Sequence, residues 1–214
     1  MTEDSARDLA ERRGVETHVY QPAEDSGLLA SAVVERGRGR LLEVGTGSGW
    51  VAERAVRDAP EVDSVVASDL NPHACRAARK RASETASEVD GDSPAFEVVR
   101  GSLVEPFADA AFDTVAFNPP YLPTDPDNEW DDWMERALSG GESGRELVDP
   151  FLESVDRVLA PDGVVLLLVS SLTGYDAVLD HAADCGFASE VVVEESYPFE
   201  TLTVVALRSD ARDN

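Results

Sequence analysis

The chain has 214 residues, 43% of them hydrophobic, and 43 acidic residues against 18 basic ones give a net charge of −25. This length suits one domain with a real core, and this composition excludes a disordered chain. No apolar run reaches the ~18 residues of a membrane span, and Cys75 and Cys185 stand too far apart for a disulfide framework or a structural zinc site.

Residues 1–40 read as polar and mostly helical, broken around "VETHVYQPAEDSG", and their charged start is not that of a secretory signal, so a cytoplasmic location is expected. Strand and helix patterns then alternate. "RLLEVG" (40–45) is a short apolar strand, and "WVAERAVRDA" (50–59) is a helix with Val51, Ala52, Ala55 and Val56 on one face. "SVVASDL" (64–70) is a strand, and residues 71–84 form a helix with Pro72 in its first turn. Residues 88–94 form an exposed turn, "AFEVVRG" (95–101) and "FDTVAFN" (112–118) are strands, and 122–144 is irregular. Residues 145–160 read as a helix despite Pro150, "PDG" (161–163) as a turn, and "GVVLLLVSS" (163–171) as a buried strand. A helix over 175–186 closes on glycine, and 189–197 and 201–208 pair as an antiparallel hairpin across "PFE". The expected fold is α/β: a doubly wound, mainly parallel sheet of seven strands with that hairpin at its end. In such sheets ligands bind beyond the carboxyl ends of the strands, where strand order reverses.

Three strand ends carry chemistry. The first runs into "EVGTGSG", where Gly45, Gly47 and Gly49 let the backbone turn tightly and approach a ligand ahead of a helix N-terminus. The dinucleotide pattern G-x-G-x-x-G fails at its third glycine, so the turn alone is either a ligand cradle or a tight turn. Asp69 ends the second strand 24 residues after Gly45 and either accepts both hydroxyls of a ribose or caps the helix ahead of Pro72. Together the two features point to an adenosine-bearing ligand. After the fourth strand comes Asn118-Pro119-Pro120-Tyr121. Asn118 offers an amide oxygen, the prolines hold backbone carbonyls in one direction, and Tyr121 adds a flat face. Two fixed acceptors suit a planar –NH₂ group, whose nitrogen they orient as a nucleophile.

"EVGTGSG", "SDLNP" and "FNPPY", in this order, resemble the class I S-adenosylmethionine-dependent methyltransferases of planar amines and amides, which share a Rossmann-like fold. "VYQPAEDSGLL" (19–29) and "GGESGRELVDPFL" (140–152) resemble more narrowly the HemK-related glutamine methyltransferases, in their short archaeal and eukaryotic branch. The likeness covers nearly the whole chain. It implies a single methyltransferase domain over residues 1–214, with 1–40 as a short helical extension where longer bacterial members carry a helical domain. It implies an in-line displacement at the sulfonium methyl, with neither metal nor covalent intermediate, onto the glutamine amide of the Gly-Gly-Gln motif in class I translation release factors. By the same resemblance Glu43, Gly45 and Gly47 lie under the methionine part of the cofactor, Asp69 on its ribose, and Ser26 near the cofactor. Leu70 and Leu103 are further cofactor-binding residues, Ser102 stands at the adenine contact, and Asn118 holds the target amide while contacting the cofactor. Members usually carry an acidic residue where this chain has Ser102, so an adenine contact there rests on a hydroxyl. "AEDS" also reads as an ordinary helix start. A small zinc-binding activator covering an apolar edge is the partner the resemblance implies.

Two other functions share these residues. An exocyclic base amine of DNA or RNA would need base flipping and a basic groove, and "RAARKR" (76–81) is the one basic cluster. A non-catalytic cofactor-binding subunit would leave the Asn-Pro-Pro-Tyr turn idle. A charge of −25 argues against nucleic acid in ordinary salt; it reads either as an acidic cytosolic protein or, since Lys80 is the sole lysine, preferably as one from a salt-accumulating, halophilic source. At molar salt the screening length falls to about 3 Å, which weakens both the self-repulsion and that argument. Trp130 and Trp133 read as helix packing, and His18, His73 and His181 are assigned no catalytic or metal role.

Overall fold

The β-branched runs all enter one sheet in the computed structural model, which describes residues 19–88, 95–123, 133 and 137–210. The strands are β1 (Gly39–Val44), β2 (Val62–Asp69), β3 (Glu97–Arg100), β4 (Phe112–Phe117), β5 (Leu159–Ser170), β6 (Phe187–Ser196) and β7 (Thr201–Ser209). Their order, among the described residues, is β3-β2-β1-β4-β5-β7-β6. The first five are parallel, and β7 lies antiparallel between β5 and β6, as the expected hairpin requires. The order reverses between β1 and β4, so the crevice for a ligand opens beyond Val44 and Phe117.

Both faces of the sheet are covered, which explains why the central strands lack polar alternation. Successive strand residues point to opposite faces, so Leu41 joins one core and Leu42 the other. On the first face lie α1 (Glu24–Arg36), α2 (Trp50–Asp58) and α3 (Pro72–Glu88), contributing Leu29, Val33, Ala52, Ala55, Ala78 and Ala82. On the second lie α4 (Val148–Val155) and α5 (Tyr175–Asp184), with Phe151, Leu152 and Val178. Phe151 packs on Phe117, ring centroids 4.6 Å apart, directly beneath the end of β4. The α1 helix supplies Leu28, Leu29, Ala30, Ala32 and Val33 to the first core and so belongs to the sheet's cover.

Several boundaries differ from the sequence reading. The helix expected over 145–160 is only Val148–Val155, with Pro150 in its first turn; a 3-10 turn, Asp156–Val158, follows and β5 begins at Leu159. "RVLA" is apolar enough for either state, and pairing with β4 decides it. "PDG" is consequently a bulge inside β5: Phe112 pairs with Leu159 and Thr114 with Val164, and Asp162 has φ +64°. The α3 helix runs on to Glu88, and β3 is confined to four residues. The exposed turn expected at 88–94, apart from Glu88, lies outside the described residues, as do Trp130 and His18; Trp133 is half-buried. No helix among the described residues is long and apolar enough to cross a membrane.

Candidate active site

The glycine turn after β1 is shaped by polar groups beneath it. Glu43, 4% exposed, points back into the turn, where its Oε2 accepts from the Thr46 hydroxyl at 2.6 Å and from the Ala52 amide at 2.9 Å. It therefore satisfies a donor in the first turn of α2 from outside the helix, whose own N-cap, Gly49, has no side chain to offer. Burial pushes the Glu43 carboxyl up to about 8 from an ordinary 4.5, against the lowering effect of those two hydrogen bonds. Thr46 also ties the turn to β2, donating its amide to the Ser68 carbonyl at 2.8 Å. Gly45 and Gly47 take φ of +66° and +55°, left-handed values that L side chains rarely adopt. Gly45 is exposed beyond the strand end, and a β-carbon there would sit 3.4 Å from the Phe117 ring and 3.9 Å from the Asn118 carbonyl oxygen.

Asp69 belongs to the same construction. Its Oδ2 accepts from the Gly47 amide and its Oδ1 from the Asn71 amide, each at 2.8 Å. Burial raises its pKa, opposed by the backbone donors of Asn71, Gly47 and Leu70. The α3 cap is Asn71, whose Oδ1 accepts from the His73 amide at 2.8 Å, so the helix-cap reading of Asp69 gives way. Next to Asp69, Leu70 is 50% exposed, an apolar side chain held out beside a carboxylate. The Gly101 amide donates to the Asp69 carbonyl at 3.1 Å, which sets Ser102 and Leu103 at the neighbouring strand end; both are half-buried, and Leu103 has φ +44°.

The turn after β4 lies on the other side of Gly45. Pro119 is buried, and Asn118, Pro120 and Tyr121 are half-buried. The Asn118 Oδ1 is buried without a hydrogen-bond partner. Such orphans are rare in folded chains, and this one is an acceptor on the residue that follows β4. Tyr121 is held well above an ordinary phenol, first by burial and then by the charges of Asp25 and Glu200. The segment before α1 closes over the turn: a β-carbon on Gly47 would lie 3.6 Å from the Tyr20 carbonyl oxygen. Tyr20 donates to Asp25 at 2.9 Å, and Asp25 accepts the Ser26 amide at 2.6 Å, so "AEDS" starts a helix and also roofs the site.

The sequence-predicted residues thus fall at the ends of β1, β2, β3 and β4 and at the start of α1, around one crevice. Sequence reasoning missed Thr46, Asn71 and Asp25, which build the site from below and above. It also missed what "GGESG" does. Gly144, with φ +73°, abuts the Tyr121 carbonyl oxygen, 2.8 Å from where its β-carbon would stand, and the Gly140 amide donates to Leu122 at 2.9 Å. The loop buttresses the Asn-Pro-Pro-Tyr turn from behind.

A family described as the methyltransferase small domain matches residues 21–131. The chain belongs to this family, in its HemK-related branch. A Methanocaldococcus jannaschii protein assigned to the N5-glutamine methyltransferases is 35% identical over 87% of this chain and 90% of its own. Human methyltransferase HEMK2 is 30% identical over 90% of this chain and 91% of its own. Among solved structures, the Mtq2–Trm112 complex of E. cuniculi, described as methylating the termination factor eRF1, matches 90% of this chain and 99% of its own with a TM-score of 0.69 at 25% identity. The protein is an S-adenosylmethionine-dependent methyltransferase of class I architecture. Its residues fit that cofactor: the exposed, positive-φ backbone of Gly45 gives a cradle without side chains, Asp69 stands at the neighbouring strand end, and Asn118, whose buried Oδ1 has no partner, follows β4 beside Gly45.

Proposed function

We propose that this methyltransferase modifies the side-chain amide nitrogen of the glutamine in the Gly-Gly-Gln motif of a class I translation release factor. The observation that carries the reading is the unpartnered, buried Asn118 Oδ1 on a turn stiffened by two prolines. The names of relatives support it: a Deinococcus radiodurans protein, 34% identical over 60% of this chain, is a release factor glutamine methyltransferase.

S-adenosylmethionine supplies, when bound, an electrophilic methyl group on a sulfonium. Asp69 would hold its ribose, Ser102 would stand by its adenine, Glu43, Gly45 and Gly47 would lie under its methionine part, and Ser26, Leu70 and Leu103 would complete the cofactor site. Asn118 Oδ1 accepts one hydrogen of the acceptor amide, and a backbone carbonyl of the turn accepts the other. The amide nitrogen is thereby oriented, and positive charge developing on it meets preorganised acceptors. Pro119 and Pro120 keep those acceptors in place, and Tyr121 packs against the planar amide. No base is required before transfer, because the methylated nitrogen sheds its proton afterwards.

A small zinc-binding activator, covering an edge of the sheet, is the partner we propose, since the E. cuniculi relative is described as a complex with Trm112. A base amine in nucleic acid is the second reading, favoured by 31% identity to an Aeromonas hydrophila tRNA1(Val) (adenine(37)-N6)-methyltransferase over 68% of this chain. The basic cluster on α3 gives it little support: Arg81 is bonded to Glu53 and the Ser48 carbonyl, and Arg79 to the Val98 carbonyl. Offering labelled S-adenosylmethionine with release factor, tRNA and DNA in parallel separates the readings. Label in the release factor alone is expected, and label in nucleic acid alone would refute the proposal.

A further inference from the structure

A polypeptide acceptor must touch the enzyme beyond its amide, and one rim of the crevice presents apolar side chains to solvent. The β6–β7 hairpin tip stands at the same end of the sheet as the Asn118 turn, because β7 starts where β5 ends and Leu202 pairs with Ser170. At that tip Phe199 is 89% exposed. The turn does not need it: Tyr197 donates its amide to the Glu200 carbonyl at 2.7 Å, closing the tip through backbone alone, and turns favour small polar residues. Leu172, also exposed, follows β5 in a 3-10 turn (Ser171–Thr173) whose Ser171 hydroxyl accepts the Thr201 amide at 3.0 Å. The third exposed side chain, Leu122, follows Tyr121, and Gly144 packs between the Tyr121 carbonyl and Thr173. A hydrogen bond therefore joins the hairpin tip to the 3-10 turn, and Gly144 links that turn to the Asn-Pro-Pro-Tyr turn.

Carboxylates border the same rim. Glu200 accepts from the Ser170 hydroxyl at 2.8 Å, and the charges of Asp25, Glu200 and Glu24 bear on Tyr121. Glu195, Glu24 and Asp25 bear on Tyr197, raising its pKa after burial. Arg145, the cation beside Thr173, donates to the Thr173 carbonyl at 3.2 Å and faces Asp149.

We propose that Phe199, with Leu172 and Leu122 and the bordering Glu24, Glu195 and Glu200, is the docking rim for the acceptor polypeptide around the methylated glutamine. It selects a segment that mixes apolar and basic side chains. The inference rests on the release-factor reading of the site. Continuity with the Asn118 turn and charge complementarity identify the occupant. A second copy of the chain fits poorly, since it would bring its own Glu24, Glu195 and Glu200 against the same carboxylates at contact distance. Exposed aromatics of this kind are the side chains that dominate protein interfaces when covered.

The test is steady-state kinetics on wild type, Phe199→Ala and Phe199→Tyr, with the folded release factor and with a short peptide spanning only Gly-Gly-Gln. Phe199→Ala should raise KM for the release factor about tenfold or more, leave kcat and cofactor affinity unchanged, and leave peptide turnover untouched. Phe199→Tyr should restore most of the affinity. An unchanged KM for the release factor overturns the rim, as does an equal loss on the short peptide, which would place Phe199 in the pocket. Light scattering showing that Phe199→Ala dissociates a dimer, with KM unchanged, would reassign the patch to self-association. Wild type that labels no release factor refutes the underlying reading and the rim with it, whereas wild-type labelling with an unaffected variant refutes the rim alone.

Discussion

The Gly47 amide donates to the Asp69 carboxylate at 2.8 Å across 22 residues of chain, so the glycine turn and the second strand end form one unit. Without that carboxylate the turn loses an acceptor, and the crevice loses the group placed to bind ribose hydroxyls. We therefore expect Asp69→Ala to weaken S-adenosylmethionine binding, read by titration calorimetry, by about 2 kcal/mol or more, the scale of charged hydrogen bonds lost together. Retained affinity would show that Asp69 serves the turn alone.

Asn118→Ala separates function from stability. Its Oδ1 is buried without a partner, so its removal relieves an unsatisfied group and should leave the melting temperature equal or higher. Turnover should fall by about 2–3 kcal/mol of transition-state stabilisation, with cofactor affinity kept within about tenfold. A variant with unchanged kcat would remove Asn118 from the chemistry.

Glu43 makes stability depend on pH. Burial holds its folded-state carboxyl at about 8 against an ordinary 4.5, so between those values the folded chain keeps a proton that the unfolded chain has lost. Its contribution is full below about pH 4.5, declines as pH rises toward about 8, and is level above that. Glu43→Gln keeps an acceptor for Thr46 and Ala52 but cannot ionise. Urea denaturation should show the variant gaining on wild type from pH 5 to pH 8 by a few kcal/mol, since each tenfold difference in proton affinity between the folded and unfolded chain is worth about 1.4 kcal/mol. A constant difference across that range would contradict the buried-carboxyl account.

Gly144→Ala tests the buttress behind the Asn-Pro-Pro-Tyr turn. A β-carbon there meets the Tyr121 carbonyl at 2.8 Å in backbone of φ +73°. The strain should cost about 1–3 kcal/mol of stability, and turnover should fall while cofactor affinity stays near wild type. Equal activity would mean that the loop does not set the position of Tyr121.

Much of this site was legible in the sequence because its residues sit at strand ends, where apolar runs stop at glycine, aspartate and asparagine. The sheet and its C-terminal hairpin were legible for the same reason. What escaped were relationships between elements. Nothing local pairs Glu43 with the Ala52 amide, since that contact exists only once α2 has folded back over β1. Asp69 and Asn71 are equally plausible caps by type, and the Gly47 amide decides between them by claiming Asp69. Leu159 reads as the end of a helix until it pairs with Phe112. Gly144 meets Tyr121 from 23 residues away, so its role belongs to the tertiary fold.

The central claim is the identity of the acceptor atom. The decisive measurement is methyl transfer from labelled S-adenosylmethionine to the organism's release factor, intact and with its Gly-Gly-Gln glutamine changed to alanine, followed by fragment mass analysis. The account predicts one methyl group on the glutamine amide nitrogen of the intact factor and none on the altered one. Equal labelling of the two factors would contradict it.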